Sequence, residues 1–285
     1  MDPLQLLDSL GGVARASTLL EAGLSSNDLA SLARRVRRPK RGVYATADCR
    51  RDFLAAIMRN SVLTCASAAR DHGLWIRVQP ARHHLGCGHG HANGSLALAS
   101  RLDATIHRGL RYQPHHTLPL AAVEDVVLHA LRCLPEQAAV PLAASAIKLH
   151  GLRFEFLEED LTARKSGRVL QTLRKVDLRV ESLPEAEALL LLLPLAEALG
   201  VDVEPQAFIP GIGRVDFLIA GFLIIEIDGV AFHSDRTSML RDRERDNSAT
   251  LSGYVKLRYL PDVIWNAPER FVSEVTAALT GRIRG

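Results

Sequence analysis

Between Val203 and Asp228 the chain carries three apolar runs, VEPQAFIP, GRVDFLIA and FLIIEID, separated by little more than the glycines at 211, 213 and 221. Short runs rich in Val, Ile and Phe, punctuated by glycine, predict three β-strands joined by tight turns. The stretch from Leu183 to Leu199 stops at Gly200 and predicts a helix with a glycine just past its end. A charged helix over about 235–251, a fourth strand in YVKLRYL and a closing helix in APERFVSEVTAALTG follow. That order predicts a mixed sheet with helices on its faces, an α/β arrangement.

Three carboxylates stand inside the second and third of these strands. Asp216 lies in RVDFLI, and Glu226 and Asp228 occupy alternate positions of the next run. Alternation puts Glu226 and Asp228 on one face and Ile225 and Ile227 on the other. Acids on an apolar strand are costly to bury unless something positive or hydrogen-bonding meets them. The short turn at Ala220 and Gly221 makes a hairpin that brings Asp216 towards Glu226. Hard oxygen ligands in such a place suit Mg2+, or Mn2+ in its stead, which keeps several waters and takes few carboxylates from protein. A magnesium ion activates water and neutralises charge building on a phosphate. Plainer readings stand beside each residue. Asp216 and Glu226 can pair with Arg214 or Arg258. Glu185, three residues after Ser182, can complete a capping box. Asp228 before Gly229 can be a turn residue, and His233 a surface histidine. In RDRERD, Arg241 and Arg245 share one helix face, as do Asp242 and Asp246. That face is either solvated or set against phosphate.

The pattern E…RVDF…IIEIDGVAFH…RDRERD…GY, over about residues 180–280, resembles the very-short-patch-repair-like branch of the PD-(D/E)XK nuclease superfamily. The resemblance implies a restriction-endonuclease-like mixed sheet flanked by helices. It places metal-binding acids on Asp216 and Glu226, the acid of the first helix on Glu185, and a proton-transfer histidine on His233. The superfamily's usual lysine, two positions after the glutamate, is Asp228 here. The cysteine and histidine zinc site of very-short-patch-repair enzymes has no counterpart in this half, which holds no cysteine, so their mismatch specificity does not carry over.

At the other end, PLQLLDSLG, ARASTLLEAG and NDLASLARRV read as three short helices. Ser25 or Ser26 caps the third, and Leu29, Leu32 and Val36 lie on one face. RRPKRGVYA then reads as a basic turn between two short strands. Helices followed by a basic hairpin are the order of a winged-helix domain, in which a helix enters the major groove and the wing touches phosphates. Arg34, Arg35, Arg37, Arg38, Lys40 and Arg41 are the candidate DNA contacts, with Arg241 and Arg245 from the back half. The segments GGVARASTLLEAGLSSNDLASLARR, KRGVYA and SAARDHGL are similar to AbiEi-type antitoxin proteins. That similarity implies a winged-helix N-terminus and a repressor role.

Between these ends, DFLAAIMRN, CASAARDHGLW, AVEDVVLHALRCL and EQAAVPLAASAIKLHG read as helices and DATIHRG as a strand. HHLGCGHGHANG gathers zinc-type ligands, His83, His84, Cys87, His89 and His91. One glycine-rich loop holds them all, whereas a structural site normally joins two pairs on short turns, so an exposed loop is expected. Cys49, Cys65, Cys87 and Cys133 show no CxxC spacing, so no disulfide framework is expected.

The division expected is a winged-helix domain over 1–48, a mixed α/β region over 49–165, a linker over 166–181 and an endonuclease-like domain over 182–285. With 47% hydrophobic and 24% charged residues the composition is that of a soluble globular chain. ALLLLLPLAEALG is interrupted by Pro194 and Glu197, and MDPLQLLDSLGG lacks a signal-peptide pattern, so a cytoplasmic protein is expected. The function expected is a Mg2+- or Mn2+-dependent DNA endonuclease, acting on DNA and not on membranes, with the oligomeric state, a homodimer included, not readable from the sequence. A DNA-binding repressor with an inactive nuclease fold, and an RNA nuclease, are the competing readings.

Overall fold

The computed structural model describes residues 2–88, 104–163, 165–229 and 236–283, with the backbone alone for 236–242 and 282–283. The chain is α/β, and it forms two compact units, residues 1–173 and 174–285.

The first unit opens with α1 (Pro3–Ser9), β1 (Val13–Arg15), α2 (Ala16–Glu21) and α3 (Ser26–Leu32), then the strands β2 (Arg37–Lys40) and β3 (Val43–Ala45). Ser25 and Asp28 form a reciprocal capping box at the start of α3. The helix is shorter than NDLASLARRV suggests. The amides of Arg34 and Arg35 bond three residues back, to Ser31 and Leu32, so the last turn tightens and Val36 leaves towards β2. β1, β3 and β2 make an antiparallel sheet in that order. Leu7, Leu19, Leu29, Leu32 and Tyr44 share one core beneath it. β1 has no clear sequence signal, because three residues are too few to show a period.

The rest of this unit holds α4 (Arg51–Met58), β4 (Val62–Leu63), α5 (Cys65–Ala69), β5 (His83–Cys87) and β6 (Ala104–Arg108). The helices α6 (Val123–Cys133), α7 (Glu136–His150), α8 (Phe154–Ala163) and α9 (Gly167–Leu173) follow. β5 is the central strand of a three-stranded sheet, antiparallel to β4 and parallel to β6. This corrects the exposed-loop expectation for residues 83–87. Leu85 is fully buried there and His84 and Cys87 nearly so. Gly86 sits in close packing, where a Cβ would meet the Leu110 side chain at 2.8 Å and push it aside. His89 and His91 lie outside the described residues. The stretch 166–181, expected as a linker, contains α9, whose Leu173 is fully buried.

The second unit begins with α10 (Leu183–Leu199), which runs through Pro194 and ends at Gly200 in the left-handed conformation, φ 64°. β7 (Val203–Ile209), β8 (Gly213–Ile219) and β9 (Leu223–Ile227) form an antiparallel meander. α11 (Arg236–Leu251) leads to β10 (Val255–Tyr259), which lies parallel to β9 at the edge of the sheet. The strand order is β10-β9-β8-β7, a mixed sheet. α12 (Pro261–Asn266) and α13 (Pro268–Ile283) complete the unit. Ile224, Leu218 and Val215 pack with Ala249 of α11. Phe217 and Phe271 are fully buried, each contributing about 1.5–3 kcal/mol of apolar burial. No helix among the described residues is long and apolar enough to cross a membrane.

Candidate active site

The register of the second sheet lines up its polar residues. Phe217 pairs with Ile225 across β8 and β9, so Asp216 and Glu226 are the next positions facing each other. Pro205 and Ala207 flank Gln206 opposite Asp216 on β7. Gln206 takes a positive φ of 54°, a costly conformation for a non-glycine residue. Its amide nitrogen donates to Glu185 Oε2 at 2.8 Å and to Asp216 Oδ1 at 3.4 Å. Gln206 is therefore a bridge between the acid on α10 and the acid on β8.

Glu185 is nearly buried and it does cap α10. The Ser182 hydroxyl donates to its Oε1 at 2.7 Å and accepts from its amide, while the Glu181 amide donates to Oε2 at 2.8 Å. The capping role and the place beside Asp216 coexist in one side chain. Asp216 Oδ2 accepts from the Ile227 amide at 2.7 Å. Burial, with the nearby Glu185 and Glu226 carboxylates, raises the Asp216 carboxyl to about 6.

Glu226 Oε1 is buried and accepts no hydrogen bond among the described residues. Lys256 Nζ on β10 stands 3.1 Å from it, and Arg245 3.9 Å. Lys256 reaches Glu226 because β10 runs parallel to β9, with Lys256 paired to Ile224. The same ammonium holds Asp246 of α11 at 2.6 Å. A lysine thus lies beside the central glutamate, though it comes from the neighbouring strand and not from two positions downstream.

The remaining candidates have other partners. Asp228 is held by Arg258 through contacts of 2.6 and 3.0 Å. Arg214 is taken by Glu181 at 2.7 and 2.8 Å. Neither arginine therefore serves as the main partner of Asp216 or Glu226. Arg245 clamps the β7–β8 turn, donating to the carbonyls of Ile212 and Arg214 at 2.6 Å each. These contacts fix it to the protein. His233 lies outside the described residues, and of Arg241 only the backbone on α11 is described.

Glu185 and Glu226 therefore flank Asp216, with the Lys256 ammonium beside Glu226 and the neutral donors of Gln206 and the Ile227 amide on Asp216.

In the first unit, Arg34, Arg35, Arg37, Arg38, Lys40 and Arg41 are all exposed. Arg34 and Arg35 sit just beyond α3 and not on it. Arg35 pairs with Asp2 at 3.1 Å. Arg37 donates to the carbonyls of Thr46 and Ala47 at 2.8 and 3.2 Å, so it also secures the chain after β3. Arg38 stacks over Tyr44, 5.6 Å from the ring centre.

No protein-family model matches the chain, and no curated protein matches it. Among solved structures it is similar to the RV2827C protein from Mycobacterium tuberculosis. The identity is 17%, the match covers 65% of this chain and 79% of that one, and the TM-score is 0.33.

Gln206 and Lys256 escaped the sequence reading. Gln206 carries no motif, and its reach depends on the left-handed turn of its own backbone. Lys256 was readable only once β10 had been set parallel to β9; the signal was a lysine inside an apolar strand, YVKLRYL.

Proposed function

We propose that residues 174–285 form a divalent-metal-dependent nuclease of the PD-(D/E)XK kind, acting on DNA, and that residues 1–48 form a winged-helix reader that holds the duplex. The observation that carries this reading is the convergence of Glu185, Asp216 and Glu226 beside Lys256. Asp216 and Glu226 would hold Mg2+ or Mn2+, which would polarise the scissile phosphate and lower the pKa of an attacking water. Gln206 fixes the Asp216 carboxylate by bonding it to Glu185. Lys256 pairs with Glu226 at 3.1 Å and would place an ammonium near the position of a bound phosphate. His233, beyond Gly229, is the residue to which proton acceptance from water falls. The attack breaks one phosphorus–oxygen bond in line with the incoming oxygen.

The test is cleavage of plasmid DNA by the purified chain in Mg2+ or Mn2+, with and without chelator, beside Glu226→Gln. Glu226→Gln keeps the shape and removes the charge, so it is expected to abolish cleavage and preserve folding. Equal cleavage by a pure Glu226→Gln protein would sink the reading. A DNA-binding repressor of the antitoxin-like kind is the second reading. It is favoured by the oxygens of Glu185 and Asp228, which are already engaged within the protein. Tight DNA retention with no cleavage of DNA or RNA in any divalent metal would select it.

A further inference from the structure

Four sulfur and nitrogen ligands meet in the first unit, drawn from four separate elements. Cys65 is the first residue of α5, His84 lies on β5, His107 on β6 and Cys133 is the last residue of α6. One ligand atom from each lies within 4.8 Å of all the others. His84 Nδ1 is 3.0 Å from His107 Nε2, and Cys133 Sγ is 3.8 Å from His84 Nδ1. In a tetrahedral zinc centre, bonds of about 2.0–2.3 Å set the donor atoms about 3.3–3.8 Å apart. The two measured separations fall at or near that window.

The backbone is arranged to hold these groups. His84 and Gly86 share a face of β5, and His107 pairs with Gly86 across the parallel ladder, so both imidazoles project to the same side. Cys65 takes a φ of 51°, a strained conformation for a residue other than glycine or asparagine. The preceding Thr64 hydroxyl bonds His129 Nδ1 at 2.8 Å. The His129 ring stacks on His107 at 4.8 Å between centres, which fixes the face of that ligand. The Ser67 hydroxyl accepts from the His84 amide at 2.8 Å. Cys65 and His84 are buried, while Cys133 is exposed and gives the site an entrance.

We propose that Cys65, His84, His107 and Cys133 form a structural zinc site that fastens α5, β5, β6 and α6 together. Two thiolates and two imidazoles are borderline-soft ligands that select zinc over magnesium. Four protein ligands leave no open position, so the site supports folding and not catalysis. Binding converts two thiols to thiolates and releases two protons, and two thiolates on Zn2+ give a neutral centre that can be buried without an uncompensated charge. Both imidazoles are already in the ligand form at neutral pH. Burial, then His129 and His84, hold His107 down at about 3, and burial lowers His84 as well. The ligands differ from the glycine-rich cluster suggested by sequence. Among the described residues of that cluster, His84 is the one that takes part.

The experiment uses the full chain, purified without chelator, with metal content measured by mass spectrometry. About one zinc per chain is expected. The chain stripped of metal and titrated with zinc is expected to bind one equivalent and release about two protons. Cobalt in its place is expected to give the strong visible bands of a tetrahedral site with sulfur-to-metal charge transfer. Cys133→Ser, at an exposed helix end, is expected to fold and to lose zinc, and His107→Ala to lose it too. Cys87→Ser is expected to retain it. Failure of the folded wild-type chain to bind zinc overturns the proposal. So does a Cys65–Cys133 disulfide in the chain purified under reducing conditions, or full zinc retention by Cys133→Ser.

Discussion

Lys256 is the residue on which the candidate site turns most sharply. Its ammonium serves Glu226 and Asp246 at once, and it and Glu226 are only 15% and 16% exposed. Truncating one member of a largely buried pair strands the other, and such losses reach about 3–5 kcal/mol when burial is complete. Lys256→Met is therefore expected to destabilise the second unit by about 2 kcal/mol or more in urea unfolding. Adding Glu226→Gln is expected to recover part of that loss, whereas a purely additive double variant would mean the pair is not coupled. Asp216 gives a pH signature. Its carboxyl sits at about 6 in the folded chain, against about 3.9 when unfolded. Between those values the folded state binds the extra proton, so stability falls as pH rises through about 6. In chelator, the wild type is expected to lose stability relative to Asp216→Asn between about pH 4 and pH 6. Adding Mn2+ is expected to reverse the difference at the upper pH. Parallel melting curves for the two proteins would show that Asp216 carries no such shift.

At the scale of elements, β2 and the turn after it carry two kinds of basic residue. Arg38, Lys40 and Arg41 are exposed, with no contact to a carbonyl among the described residues, whereas Arg37 anchors Thr46 and Ala47. Replacing Arg38, Lys40 and Arg41 with alanine is expected to flatten the salt dependence of DNA affinity by about two to three units. The cleavage rate at saturating DNA is expected to stay unchanged. Arg37→Ala mixes that effect with a loss of stability, so it is the poorer probe. A salt slope equal to wild type would move the DNA contacts away from β2. The elements also show where sequence is readable. β7, β8 and β9 were legible because glycines bound them and the apolar runs are continuous. α10 was legible to its last residue because Gly200 takes the left-handed turn that others resist. β5 was not legible: His83, His84, Gly86 and Cys87 look like loop chemistry, and only packing against Leu110 explains the glycine. Asp216 and Glu226 were legible because adjacent strands carry them. The Cys and His ligands were not, because no two of the four lie on one turn and the fold alone gathers them.

At the scale of the molecule, the second unit is assembled from contacts of very different reach. β7, β8 and β9 follow one another through three-residue turns, while β10 comes back to β9 only after α11 has been laid down. Short loops close at little entropic cost and long ones at more, so near-neighbour strands tend to pair first. A chain with Trp75→Phe keeps Trp265 as its single indole reporter on this unit. In stopped-flow refolding of that chain, Leu218→Ala is expected to slow folding, with φ of about 0.5 or more. Lys256→Met is expected to speed unfolding instead, with φ near zero. The reverse order would place β10 in the nucleus. The parallel return of β10 thus has a consequence in time. The acids are collected by the earliest hairpins, but the cation that steadies Glu226 arrives with the last strand of the sheet, so a half-folded chain holds the acids together before it holds the charge that organises them.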